Sequence, residues 1–268
     1  MKSIADYTLI EPMGTGNHGT FWLAERPARL SGVDANRVGV KVLDHHATDQ
    51  DFRRMANELQ LYAASDSEFL VPILDAGQQD GTLFYATPFY ENGSLGASSR
   101  PLTPMETLVC IADAADAAHA LHETGVAHRD IKPDNVMITD DMRGRLGDLG
   151  LAQILTPGQT VTGVGPVGTI EYLAPELIRG EAAGRPTDIW ALGATAHRAL
   201  TGRSLYTDLP STSLLDALRF LLDATPRLQE SLPAEVVGII NRCLKPDPTM
   251  RYPTAEELAS ELREASIR

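Results

Sequence analysis

Residues 127–135 read Ala127-His128-Arg129-Asp130-Ile131-Lys132-Pro133-Asp134-Asn135, and thirteen residues past Asn135 comes Asp148-Leu149-Gly150. Histidine, arginine, aspartate and asparagine at those four offsets arise by chance in fewer than about one chain in several hundred, and the second aspartate lowers that further. The segment is a loop that gathers carboxylates, an amide and a lysine. Downstream lie Gly168-Thr169, Tyr172 and Ala174-Pro175-Glu176.

Working upstream, Thr103-Pro104-Met105-Glu106 is a capping box with proline at the first helical position, contributing roughly 1 kcal/mol. It predicts a helix to about Glu123, stopping near Gly125, with Leu108, Ile111, Ala115, Ala118 and Leu121 on one face. Further helices are expected at about Thr187–Leu200, Ser213–Leu222, Ala234–Leu244 and Thr254–Ala265. The first ninety residues differ in character. Short apolar runs at Tyr7–Ile10, Thr20–Ala24, Arg37–Leu43, Phe69–Leu74 and Leu83–Thr87 read as strands of a small antiparallel sheet. One helix interrupts them, with Phe52, Met55, Leu59 and Tyr62 at helical spacing and Thr48 three residues ahead of Asp51 as its start signal. The polar joint Glu91-Asn92-Gly93-Ser94 marks the boundary between the two halves.

Gly14-Thr15-Gly16-Asn17-His18-Gly19 lets backbone N–H groups approach a polyphosphate. Alone it is a weak signal. A strand, Thr20–Ala24, follows it where a dinucleotide fingerprint would open a helix, so it reads as a flap between two strands. Val38-Gly39-Val40-Lys41 ends with a lysine in apolar company, a position that demands an anionic partner. Glu58 lies about 40° around its helix from Tyr62 and about 60° from Met55, bordering the buried face, and is a natural partner for it.

The 268 residues carry a net charge of −13, with 43% hydrophobic and 22% charged residues. This is an ordinary globular composition. Long-range repulsion of phosphate backbones counts against a general nucleic-acid or anionic-membrane binder. Cys110 and Cys243 are too few for a disulfide framework, which fits a reducing, cytoplasmic setting. No signal peptide or membrane span is expected, and no linker to a further module.

Taken together, the chain resembles the protein kinase family from Tyr7 to about Arg263, and is most similar to the bacterial branch of its serine/threonine kinases. Lys132, two residues past Asp130, and the Gly168-Thr169 to Ala-Pro-Glu platform carry the serine/threonine assignment. The resemblance implies a bilobal α+β fold, with an antiparallel-sheet lobe in 1–90 and a mostly helical lobe in 91–268. It also implies ATP and Mg²⁺, with Mn²⁺ as an alternative, and Ser/Thr protein substrates, with this chain itself among them by autophosphorylation. Lys41 would bind the α- and β-phosphates, positioned by Glu58; Asn135 and Asp148 would hold the metal; Asp130 would receive the hydroxyl proton, with Lys132 on the γ-phosphate. Gly14, Gly16 and Gly19 would cover the phosphates. Thr87, Pro88 and Tyr90 would line the hinge side of the adenine pocket and Met137 its floor. Glu176 would pair with Arg251, and Asp188 would cap the catalytic loop.

Two features are particular to this chain. Phe21 stands where the family usually has a valine above the adenine and Gly39 where it has the alanine beside it, so the resemblance implies that both bind the nucleotide, with the ring expected to fill the space freed at Gly39. Thr160 and Thr162, in the segment between Leu151 and Leu173, are the candidate phosphosites for Arg129 to engage.

Overall fold

The structure, a computed structural model, describes residues 2–16, 19–30, 36–46, 53, 56, 59–60, 62–148, 170–211, 213–229 and 231–267. They fall into two units, one drawn from residues 2–64 and 71–89, the other from 65–70, 90–148 and 170–267.

The first unit is an antiparallel sheet of β1 (Lys2–Ile4), β2 (Tyr7–Gly16), β3 (Gly19–Glu25), β4 (Arg37–His46), β5 (Asp75–Gln79) and β6 (Thr82–Pro88), in the order β1-β2-β3-β4-β6-β5. Alternation along β4 sends Val38 and Val40 into a core with Ile4, Tyr7, Ala24, Phe84 and Ala86, leaving Gly39 and Lys41 for the opposite face. Tyr7 is fully buried, and its hydroxyl donates to Asp75 at 2.7 Å. Arg29 clamps Asp6 through two hydrogen bonds of 2.8 and 3.0 Å, and so ties the β1–β2 turn to the segment after β3.

One expected strand is displaced. In Phe69–Leu74 only Leu70 makes a bridge, to Leu146, and the strand lies at Asp75–Gln79. Pro72 has no N–H for a ladder, whereas the polar Asp75–Gln79 run sits at a sheet edge and needs no apolar signature. The hairpin strand β1 was not expected at all, being too short to show a period. In the predicted helix, the described residues 53, 56, 59–60 and 62–64 are helical. Tyr62 is buried and donates to Val71 O at 2.7 Å.

The second unit contains α1 (Pro104–Glu123), α2 (Pro175–Ile178), α3 (Arg185–Thr201), α4 (Leu214–Asp223), α5 (Ala234–Cys243) and α6 (Ala255–Ile267). A small sheet accompanies them, β7 (Gly93–Ser94), β8 (Ala97–Ser98), β9 (Val136–Ile138) and β10 (Gly144–Leu146), in the order β10-β9-β7-β8. The capping box of α1 forms as read: Glu106 N donates to Thr103 Oγ1 at 3.2 Å and Thr103 N to Glu106 Oε2 at 2.8 Å. The five predicted apolar positions are buried. So is Asp113, whose carboxylate accepts from Arg143 twice at 2.7 Å, Gly144 N at 3.0 Å and Arg263 at 3.0 Å. A buried charge is tolerable only with such partners, and these bind α1 to β10 and α6. Among the described residues, no helix is long and apolar enough to cross a membrane.

Candidate active site

The loop from His128 to Asn135 is held from below. Asp188, fully buried in the first turn of α3, accepts His128 N at 2.8 Å on Oδ2 and Arg129 N at 2.9 Å on Oδ1. Those bonds fix Arg129 at φ +68°, a left-handed conformation costing about 1–3 kcal/mol for a residue with a Cβ. Asp188 itself is steered by His122 at the end of α1, Nε2 to Oδ2 2.8 Å. His122 escaped the sequence reading. Its only signal is a polar residue beside Leu121 on the buried side of the helix, and its partner lies 66 residues away.

On the other side of the loop, Lys132 Nζ donates to both Asp130 oxygens, at 3.0 Å to Oδ1 and 2.8 Å to Oδ2. Asn135 Nδ2 donates to Asp130 O at 2.7 Å and to Oδ2 at 2.9 Å. The carboxylate is thereby locked in orientation, and Oδ1, with one donor, keeps capacity for a hydroxyl. With Nδ2 so engaged, Oδ1 is the acceptor of the Asn135 amide. Gly147 N donates to Asn135 O at 2.8 Å, tying this loop to the segment that presents Asp148, at φ +55°. Amide and carboxylate oxygens are the hard donors that magnesium prefers, and magnesium is usually held by one or two such protein groups plus water and phosphate. The pair fits that metal.

His128 closes the arrangement. Asp130 N donates to Nδ1 at 3.4 Å, so the proton sits on Nε2, which donates to Gly147 O at 3.1 Å. Burial pushes its pKa below the ordinary imidazole value, against the opposing pull of Asp188, Asp130 and Asp148. His197 is shifted the same way, again chiefly by burial. A depressed imidazole pKa means the unfolded chain binds more protons below about pH 6.5, so stability is full above that pH and is lost as pH falls. The melting temperature is expected to decline between pH 7.5 and 5.5, before carboxylates titrate; calorimetry showing it flat or rising there contradicts this.

In the sheet unit, register brings a second set together. Phe21 pairs with Lys41, Leu23 with Gly39, Gly39 with Thr87 and Lys41 with Tyr85. Directly opposed residues of an antiparallel sheet share a face, so Phe21, Gly39, Lys41 and Thr87 lie on one side. A Cβ on Gly39 would stand 2.2 Å from Phe21 Cζ, so the ring does occupy the space that the missing methyl leaves. Gly14 and Gly16 end β2, and Gly19 starts β3 at φ +142°, where a Cβ would meet Val42 O at 2.1 Å. Thr87 is buried, its Oγ1 donating to Pro88 O at 3.2 Å. Tyr90 follows in the second unit, where Met137 of β9 pairs with Ser94 of β7. Glu58, Leu149, Thr160 and Thr162 lie outside the described residues.

The predicted buried pair also forms: Arg251 donates to Glu176 through two bonds of 2.7 and 2.8 Å. A protein-family model, Protein kinase domain, matches residues 7–262. The chain belongs to the protein kinase family. This kinase domain is 31% identical over 268 residues to serine/threonine-protein kinase PrkC of Bacillus subtilis, covering 97% of the domain and 40% of that protein. It is 32% identical to PkaA of Streptomyces coelicolor (96% and 49% covered) and 32% identical to PknB of Mycobacterium tuberculosis (96% and 42%). The kinase domain thus spans less than half the length of these curated relatives. A crystal structure of the M. tuberculosis PknI kinase domain, carrying a single substitution, superposes with a TM-score of 0.67 at 24% identity, covering 100% of this chain and 98% of that one. That likeness shows the fold of the kinase domain.

Proposed function

We propose that this domain is an ATP-dependent serine/threonine protein kinase, transferring the γ-phosphate of ATP to Ser and Thr hydroxyls of proteins, its own activation segment included. The observation that carries the reading is the Asp130 carboxylate, oriented by Lys132 and Asn135 in a loop whose backbone hangs on Asp188. Residues 1–90 would form the nucleotide-covering lobe and 91–268 the catalytic lobe. A cytoplasmic site fits the two buried, free cysteines.

Phosphoryl transfer passes through a loose transition state, so the protein's work is alignment and charge neutralisation. Asp130 Oδ1 accepts the substrate hydroxyl and takes its proton late, being too weak a base to remove it outright. Lys132, already on Asp130, leans on the γ-phosphate as negative charge moves there. Lys41, positioned by Glu58, binds the α- and β-phosphates. Asn135 and Asp148 hold magnesium, which when bound offsets phosphate charge. Gly14, Gly16 and Gly19 admit the phosphates. At Gly14 a Cβ would meet nothing within 4 Å, so packing does not demand the glycine. Thr87, the Pro88 carbonyl, the Tyr90 N–H and Met137 take the base.

Thr160 and Thr162 are the proposed autophosphorylation sites, each adding a charge of about −1.5 to −2 for Arg129 to engage. Mass spectrometry after incubation with MgATP and an unstructured protein is expected to find phosphate on Ser/Thr of both proteins. Absence from the chain itself in wild type, or equal phosphate in Asp130→Asn, contradicts autophosphorylation.

A further inference from the structure

The second unit holds a cavity for which phosphoryl transfer has no use. It encloses about 620 Å³ and is walled by Thr201, Arg203 and Thr207 from the end of α3 and the loop after it, and by Arg227, Gln229 and Ser231 from the segment between α4 and α5. That volume falls in the ~300–1,000 Å³ range of small-molecule sites. Hydrogen bonds fix the walls: Gly202 ends α3 at φ +67°, its N–H donating to Arg198 O at 2.8 Å, and the turn delivers Arg203, whose N–H donates to Thr201 Oγ1 at 3.1 Å. Arg227 N donates to Leu205 O at 2.9 Å, and Gln229 N to Nε2 of the fully buried His197 at 3.3 Å. The two segments are thereby laced together.

Both arginines are exposed. Arg203 Nη1 donates to Gln229 Oε1 at 3.2 Å, which holds that guanidinium in the wall, while the Arg227 guanidinium has no partner among the described residues. Carboxylates are abundant in this chain, 36 against 23 lysines and arginines, and Arg100, Arg143, Arg185 and Arg242 each hold one within 3.1 Å. No described carboxylate lines this cavity; the Asp208 side chain accepts from Thr207 instead, at 3.1 Å. Arg203 by itself would suit the negative end of α3. A second guanidinium on the same cavity adds only repulsion unless an anion sits between the two.

We infer that this cavity binds the phosphorylated side chain of a Ser or Thr in a protein segment, Arg203 and Arg227 taking the phosphate oxygens and Ser231 adding a hydroxyl donor. Guanidinium groups match phosphate oxygens bidentately, and the volume beyond the phosphate accommodates the adjoining backbone. The choice of phosphoserine and phosphothreonine rests on the kinase reading above, since these are what such an enzyme makes, but the binding needs neither ATP nor transfer. A segment phosphorylated once stays on the domain.

The test is anisotropy titration, without nucleotide, of a labelled neutral peptide carrying one phosphoserine, and of its serine and glutamate counterparts, against wild type, Arg203→Gln, Arg227→Gln and the double variant. The phosphoserine peptide is expected to bind wild type about ten-fold tighter than either counterpart, and each single variant to lose about that factor. Melting temperatures should stay within about 1 °C, both side chains being exposed. Inorganic phosphate, added as competitor, is expected to act only at concentrations at least about ten-fold above the peptide's, since it makes the charged contacts alone. Equal affinity for the phosphoserine and glutamate peptides, or for all three, overturns the phosphate site. Undiminished binding in the double variant does so too, placing the peptide elsewhere, and competition by inorganic phosphate at the peptide's own concentrations overturns a protein segment as the occupant. Each of these leaves the kinase reading standing, because transfer from ATP is measured separately; absence of transfer with the phosphopeptide still bound overturns that reading and leaves the anion site.

Discussion

Asp130→Asn is expected to lower the rate of phosphoryl transfer by about 10²–10⁴-fold, the range for loss of a positioned proton acceptor. The amide keeps the shape of the carboxylate and still accepts from Lys132 through its oxygen, so the loop should hold. What is lost is the negative oxygen that orients the hydroxyl and takes its proton. MgATP affinity should change little, because the phosphates and the base are bound by other residues. Steady-state kinetics with direct nucleotide titration separates these: a fall in kcat at unchanged affinity is the expected result. A turnover within about three-fold of wild type contradicts the role given to Asp130.

Glu176→Gln is expected to cost about 3–5 kcal/mol of stability, the penalty for leaving a buried charge without its counterion. Arg251 has 0% side-chain exposure and cannot turn to water. It is further held by the Pro186 and Lys245 carbonyls at 2.8 Å and lies over the Trp190 ring at 5.0 Å. At about 2–4 °C per kcal/mol for a domain of this size, the melting temperature should drop by about 10 °C. Adding Arg251→Met should cost much less than it does alone, because the two residues act as a unit. Denaturant unfolding checks both, and a loss under about 1 kcal/mol for Glu176→Gln contradicts the account. Any activity lost in these variants should track the folded fraction.

What was legible in the sequence was whatever chemistry had written locally. The capping box at Thr103 and Glu106 needs only two residues three apart, and it forms as read. The 128–135 loop is legible for the same reason: Asp130, Lys132 and Asn135 reach one another within five residues. The exchange of size between Phe21 and Gly39 could be foreseen because the family pattern places a valine and an alanine at those two positions, so that one gains volume where the other loses it. Long-range partners were hidden unless a family pattern supplied them, as it did for Glu176 with Arg251 and for Asp188. No pattern pointed to His122 on Asp188, or to Arg143 and Arg263 on Asp113, since nothing near those residues signals a partner far along the chain. The edge strand Asp75–Gln79 was missed because an edge needs no apolar alternation, while the apolar run before it was misread across Pro72.

The most direct measurement is the time course of label leaving γ-labelled ATP in the presence of an unstructured protein, with magnesium and then with a chelator, followed by analysis of the phosphorylated amino acids. The account predicts label on phosphoserine and phosphothreonine, dependent on metal and nearly absent in Asp130→Asn. Nucleotide binding with no transfer to any protein hydroxyl, or transfer that reaches only small alcohols, would contradict it.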